Sequence, residues 1–495
     1  MIRIEHVTWT YPHAAEPSLR DLDLRIGPGE FVILCGASGS GKSSALRLMN
    51  GLIPHFHDDG VLVGAVTVDG LITADAELDA LGVRTGTVLQ HPRRQFFTDS
   101  APEEVAFAME NFGVPSEEIR ARVAATLDEL AAGVTVDRRL RDLSGGQQQQ
   151  VAIAASVAHA PRIVLLDEPS ANLSADAVTR LTAILAGLKA RGATIVVAEH
   201  RLRYLQHLAD RVVVMRGGAV AAEWPAARLR AASDEELARE GLRGAVRTVA
   251  LPELPAAGAS VAAAASASEI PSAALELEGI RCRLGGRVVL DLARVSFAAG
   301  AVTAIRGVNG AGKSTLARVV TGLQRSSGTV RLDGTTVSRR ARQRSSAIVM
   351  QDVQRQLFTD TVAGEIGLAG GGTAGSAARV LDALDLGPLA DRHPLSLSGG
   401  QQQRLVVAVV RVSGRRIVVF DEPSSGVDRR HLQSISDQIR QVAATGAVVL
   451  LISHDDDLLA LAADCQLTLV PAAGPKGASE AGGAVAPVRR SGRRP

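Results

Sequence analysis

The chain has 495 residues, 46% of them hydrophobic, with 54 Lys and Arg against 52 Asp and Glu for a formal net charge of +2. So even a balance argues against a chain whose main work is gripping nucleic acid through a broad basic face. Three scattered cysteines, Cys35, Cys282 and Cys465, form no disulfide framework and read as free thiols of a reducing cytoplasm. No run of 18 or more strongly apolar residues occurs, so no membrane span is expected. The opening MIRIEHVTW lacks the basic-then-apolar pattern of a signal peptide and goes straight into strand-like alternation.

In chain order, the apolar run FVILCG enters a glycine loop, with Cys35 expected to end a buried strand. The loop reads Gly36, Ala37, Ser38, Gly39, Ser40, Gly41, Lys42, Ser43, followed by Ser44. His55 and His57 beside Asp58 and Asp59 read as a solvated loop rather than a metal site. Gln90 follows, then a stretch of helical spacing with a start at Pro115-Ser116-Glu117-Glu118. Next come LSGGQ (Leu143, Ser144, Gly145, Gly146, Gln147), the strand IVLLDEP carrying Asp167 and Glu168, and the strand ATIVVAEH ending in His200.

The same series then repeats. VTAIRG enters Gly307, Val308, Asn309, Gly310, Ala311, Gly312, Lys313, Ser314, with Thr315 after it. Gln351, LSGGQ (Ser398, Gly399, Gly400, Gln401), IVVFDEP with Asp421 and Glu422, and AVVLLISH ending in His454 follow. The interval is 254 residues from Ser144 to Ser398, from Asp167 to Asp421 and from His200 to His454, but 271 from Lys42 to Lys313. Such regularity predicts two similar units. Expected boundaries are 1–244, a flexible Ala/Pro/Ser-rich linker over 245–272, a second unit over 273–470 and a disordered tail over 471–495.

Each motif carries a chemical reason. Glycines at Gly-x-x-x-x-Gly-Lys-Ser let backbone N–H groups turn inward around a phosphate at a helix N-terminus. Lys42 and Lys313 reach the β- and γ-phosphates, and Ser43 and Ser314 ligate Mg²⁺. Asp167 and Asp421 end apolar strands, where a carboxylate holds Mg²⁺ through water. Glu168 and Glu422 are placed to take the proton of the attacking water. Gln90 and Gln351 can ligate Mg²⁺ or hold that water, and His200 and His454 can hydrogen-bond the γ-phosphate. The implied cofactors are ATP and Mg²⁺.

With LSGGQ in both units, the chain resembles the ATP-binding cassette family from end to end. That resemblance implies an α/β fold: two cassettes, each a RecA-like phosphate-loop core with an inserted helical subdomain. It also implies head-to-tail pairing within the chain, so that Ser144, Gly145 and Gly146 cap the site at Lys313 while Ser398, Gly399 and Gly400 cap the site at Lys42. Tyr11 stands where the family stacks an aromatic on adenine, and Leu284 takes that place in the second unit. Asp428 keeps an aspartate that the family sends across to the opposite site, and Ser174 replaces it in the first unit.

The segments after the glutamines, LQHPRRQFFTD and MQDVQRQLFTD, place Gln95 and Gln356 five positions on, then an aromatic or leucine, phenylalanine and Thr-Asp. They are similar to the energy-coupling factor type of importer for vitamins, vitamin precursors and metal ions. Arg93 departs from the acid many members carry after the proline. The resemblance implies a transmembrane coupling protein and a small substrate-binding membrane protein as partners, no nucleic acid, and a peripheral place on the cytoplasmic face of the membrane. Alternatives are a sugar-type importer ATPase, which usually has one degraded catalytic set, and a soluble ribosome-associated tandem cassette protein, which joins its units by a long charged arm.

Overall fold

The computed structural model describes residues 1–472 except 13, 15, 58, 91, 93, 94, 132, 135–137, 172, 174, 241, 244–248, 255–272, 309, 351, 352, 371–373, 398 and 425–428. At 175, 238, 239, 273, 374–376, 399, 400 and 429–431 only the backbone is described.

Each unit is built twice over from the same layers. In the first, a mostly parallel sheet runs in the order Ala219–Pro225, Arg211–Arg216, Phe31–Cys35, Thr194–Ala198, Ile163–Asp167, Thr85–Val88. Its central strands are buried on both faces, which is why they read as unbroken apolar runs. Val32 and Leu34 point into one core with the phosphate-loop helix Lys42–Met49 and the antiparallel sheet. Phe31, Ile33 and Cys35 point into the other, with the helices that follow Gln90. The antiparallel sheet has the order Leu19–Ile26, Ile2–Thr10, Val61–Val68, Leu71–Ile72. Three helices, Ala101–Asn111, Ser116–Ala131 and Gly145–Val157, form the inserted helical part. Ser100 caps the first by accepting a hydrogen bond from Glu103 N, and Pro102 sits in its first turn.

The second unit repeats this plan with one strand fewer: Ser346–Val349, Ile417–Asp421, Val448–Ile452, Val302–Arg306, Cys465–Thr468. Its helical insert is shorter, with Val362–Leu368 and Ala374–Asp382 ahead of Gly399–Ser413. The edge that Ala219–Pro225 covers in unit one is taken here by the connecting segment. Gln466 N donates to Pro252 O at 2.8 Å and Leu254 N donates to Gln466 O at 2.8 Å. Glu253 accepts from Gln466 Nε2 and Thr468 Oγ1, both at 2.7 Å. Residues 249–254, expected as flexible linker, therefore dock on the second unit, because an open sheet edge offers them paired hydrogen bonds. Residues 255–272 and most of the expected tail lie outside the described residues. No described helix is long and apolar enough to cross a membrane.

Candidate active site

The first phosphate loop leaves the strand Phe31–Cys35 at Gly36, whose φ is 142°. A Cβ on Gly36 would lie 2.2 Å from Met215 O, so only glycine fits the turn. Gly41, at φ 99°, opens the helix Lys42–Met49 without a side-chain cap, leaving its first N–H groups to an anion. Ala37 to Ser40 make the turn between them, with Gly39 at φ 78°. Lys42 Nζ, buried, donates to Gly36 O at 2.9 Å and Ala37 O at 3.0 Å. Ser43 Oγ donates to Asp167 Oδ1 at 3.0 Å, so two expected Mg²⁺ ligands already stand side by side. An uncapped helix N-terminus with a buried lysine beside it fits a bound phosphate.

Beside it the groups expected to be catalytic converge. Glu168 takes a left-handed φ of 47°, uncommon for a non-glycine residue, which swings its side chain off the strand direction. Gln90 Nε2 donates to Glu168 Oε2 at 2.8 Å, and His200 Nε2 lies 3.1 Å from Glu168 Oε1. Burial pushes the Glu168 carboxyl up, but the His200 hydrogen bond and charge, with Lys42 and Gln90, outweigh it and hold the group below its ordinary value. Asp167 is pushed up to about 6 by burial and by the neighbouring Glu168 charge.

In the second unit, Gly307 and Gly312 repeat the turn at φ 140° and 97°, and Gly310 has φ 85°. Lys313 Nζ donates to Gly307 O at 2.7 Å and Val308 O at 3.4 Å. The loop is more open: Lys313 is half-buried, and Val308 and Ser314 are exposed, while Ala311 and Thr315 are buried. Glu422 shares the left-handed turn, at φ 52°. Its described partners differ: His454 N and Ser453 Oγ reach Oε2 at 3.3 and 3.4 Å, and His454 Nε2 stands 3.9 Å from Oε1. Burial drives the Glu422 carboxyl up to about 8 and the His454 imidazole down to about 4. Asp421 is also raised, chiefly by burial.

The signature segment of unit one opens the helix Gly145–Val157 with a capping box between Ser144 and Gln147. Gly145 is exposed there, and Gly146 packs where a Cβ would come within 3.0 Å of Ala177. In unit two Gly399 and Gly400 begin the corresponding helix and Gln401 is half-buried. Asn309, Gln351, Ser398, Ser174 and Asp428 lie outside the described residues. Tyr11 sits beside the first loop: its hydroxyl pairs with Ser44 Oγ at 3.0 Å and accepts from Arg47 at 3.2 Å, and its ring meets His57 edge-on at 5.0 Å. Leu284 is 42% exposed. His55 bonds Thr73 O at 2.9 Å.

Reading the motifs missed the residue that holds the His200 turn. Buried Glu199 accepts from Ser170 Oγ at 2.7 Å, Tyr204 OH at 2.9 Å and His200 N at 2.8 Å. Arg201 and Asp455, next to the two histidines, were also missed, although the 254-residue interval pairs them.

A profile of the ABC transporter family matches residues 19–171 and 290–425. A putative ABC transporter ATP-binding protein of Treponema denticola is 38% identical over 93% of both chains. A putative HMP/thiamine import ATP-binding protein of Bacillus subtilis, YkoD, is 29% identical over 95% of this chain and 90% of its own length. Among solved structures, the RNase-L inhibitor superposes with a TM-score of 0.57 over 94% of this chain and 87% of its own, at 19% identity, a likeness of fold alone. With two full cassettes on one polypeptide, each bearing lysine, paired acids and histidine, the chain belongs to the ABC transporter family as a tandem ATP-binding subunit that hydrolyses ATP.

Proposed function

We propose that the chain powers an energy-coupling factor importer for a vitamin, a vitamin precursor or a metal ion. It would act at the cytoplasmic face of the membrane through a transmembrane coupling protein and a small substrate-binding membrane protein. The observation that carries this reading is a matched pair of exposed apolar loops, one just after Gln90 and one just after Gln351. In unit one, Gln95 Oε1 accepts from Leu89 N at 2.9 Å, and buried Glu104 accepts from Phe97 N at 3.0 Å and Thr98 N at 2.9 Å. Phe97 is thereby held 75% exposed, stacked on Phe107 at 4.8 Å. In unit two, Gln356 accepts from Met350 N at 2.8 Å, Glu365 accepts from Phe358 N and Thr359 N, and Phe358 is 78% exposed.

Large aromatics held outward by buried carboxylates suit a partner's apolar surface. Each loop is a few residues from Gln90 or Gln351, so a helix seated there would sense the nucleotide. The import role printed for the Bacillus subtilis relative supports the same reading.

Within each site, Lys42 and Lys313 would hold the phosphates. Ser43, Gln90 and Asp167, and Ser314, Gln351 and Asp421, would hold Mg²⁺, which neutralises phosphate charge when bound. Glu168 and Glu422 would take the proton of water, with His200 and His454 beside them.

Purifying the chain from membranes tests the proposal. Integral membrane proteins should copurify, and a Phe97→Ala/Phe358→Ala variant should lose them while still binding ATP. Recovery of ribosomal proteins in their place would overturn it.

A further inference from the structure

Among the described residues, the two units meet at a compact cluster of charge. Arg201 follows His200, and Asp455 follows His454 at the 254-residue interval, so they are equivalent positions of the two copies. They meet: Arg201 Nη2 stands 3.5 Å from Asp455 Oδ2, with their side chains 24% and 5% exposed. Arg243, also buried, closes the cluster. Its guanidinium pairs with Asp455, and its backbone N donates to His200 O at 3.1 Å. Asp455 is also bonded by Ser424, two residues beyond Glu422. Just past the crossing, Arg306, which precedes the second phosphate loop, bonds Val249 O at 3.2 Å and Asp456 at 2.8 Å.

Equivalent positions of a repeat that face each other lie on the axis relating the copies. Pairing two first units there would set Arg201 against Arg201, and pairing two second units would set Asp455 against Asp455. Only unlike units place opposite charges together, and like charges facing each other disfavour the wrong pair. We propose that Arg201, Arg243 and Asp455 form a latch that selects pairing of the unlike cassettes and makes Arg201, a first-unit residue, a positioning residue for hydrolysis at the second unit's site. The inference is independent of what is transported.

Its physical route is short. Asp455 is held between unit one's arginines and the loop carrying Glu422, and the charge of Arg201 is felt by both Glu422 and His454. Burial would raise the Asp455 carboxyl, but Arg243 and Arg201 outweigh it, so the group stays ionised and the latch stays charged. Removing Arg201 leaves Asp455 to Arg243 alone and takes away the charge that faces His454, so the loop beside His454 should shift.

The full chain carrying Glu168→Gln isolates the second site when hydrolysis is followed over a single turnover, which alternation between the sites does not silence. Here kcat is the single-turnover rate at saturating ATP. In that background Arg201→Gln should lower kcat about tenfold, in the range of intersite coupling, while KM for ATP changes less than about twofold. Arg201→Lys keeps the charge and should recover most of the rate. A partly lost fold would also lower the apparent kcat without moving KM, so each rate is normalised to the folded fraction read by circular dichroism. An unchanged kcat in Arg201→Gln, or an Arg201→Lys as slow as Arg201→Gln, would overturn the proposal. Should Arg201→Gln fail to fold, Arg201→Lys against the parent decides alone: a rate near the parent's supports the latch, and a tenfold loss overturns it.

Discussion

The two units carry the same set of candidate catalytic residues and hold them differently. Glu168 is gripped at both oxygens, by Gln90 and beside His200, and stays below its ordinary pKa. Glu422 has weaker described bonds to the Ser453–His454 turn and is driven up to about 8. The turns behind the two histidines differ as well. Glu199, buried and acidic, anchors the His200 turn, whereas its counterpart at the 254-residue interval is Ser453. A general base must be ionised to take a proton. By that measure the first site is better prepared than the second.

The largest expected effect tests that ranking directly. Glu168→Gln should cut hydrolysis at its own site about 10²–10⁴-fold, or about 3–5 kcal/mol of barrier, with ATP binding kept. Glu422→Gln should cost less of the total steady-state rate, measured with membrane partners present. Nucleotide occupancy of each site must be followed alongside, since strict alternation would silence both variants. Equal loss at unequal occupancy, or a greater loss for Glu422→Gln, would end the asymmetry idea.

What the units share is the turn into each phosphate loop, and glycine substitution probes it. Gly36→Ala would drive a Cβ to 2.2 Å from Met215 O, and Gly307→Ala to 2.5 Å from Leu469 O, at φ values of 142° and 140°. Backbone strain and overpacking together should cost about 2–4 kcal/mol in either unit, read as a fall in the denaturation midpoint. Gly39→Ala, with nothing within 4 Å of its Cβ, should cost less even at φ 78°. Similar midpoints for all three would mean that close approach is not what demands glycine at the loop entry.

The layout of both cassettes was legible because phosphate loops, acidic strands and histidine strands are local signals on elements buried on both faces. FVILC, IVLLD and TIVVA form the expected strands, and the helix predicted at Pro115-Ser116-Glu117-Glu118 runs over Ser116–Ala131. What the motifs did not disclose depends on contacts far apart in sequence. Glu104 and Glu365 hold the exposed phenylalanines, Glu199 anchors a histidine turn, and Pro252–Leu254 borrows a sheet edge more than 200 residues downstream. A glutamate inside a helical pattern looks like any solvated charge until burial reveals that it accepts backbone N–H groups.

A smaller effect sharpens the comparison at the adenine end. Tyr11→Leu gives the first site the residue the second already has in Leu284. It removes the hydroxyl shared with Ser44 and Arg47 and the ring set against His57. Aromatic contacts are worth about 0.5–1.5 kcal/mol beyond area, so ATP affinity at site one should fall about tenfold or less, with kcat little changed. An affinity equal to wild type would remove Tyr11 from nucleotide binding.

The smallest expected effect lies at the far end of the signature helix, where unit one has His159 and unit two has Ser413. His159 Nε2 bonds Gly82 O at 3.1 Å, and its ring meets Phe112 edge-on at 5.2 Å. Burial lowers its pKa below 6.5, opposed by the Gly82 and Thr85 backbone and assisted by the charge of Arg122. The folded chain thus binds this proton less readily than the unfolded chain. Over the interval between the depressed value and 6.5, unfolding takes up a proton, so stability rises with pH there. The contribution is complete above 6.5 and is lost as pH falls through that interval. Unit two has no histidine at this position, and its own buried histidine, His454, is held down to about 4 in the loop beside Glu422, so only the acid response of the signature helix is particular to unit one. His159→Ser should therefore reduce the drop in melting temperature between pH 7.5 and 5.5, by about 1–2 °C. A drop as large as in the parent chain would mean that His159 titrates as it does when unfolded, and that the two signature helices do not differ in their response to acid.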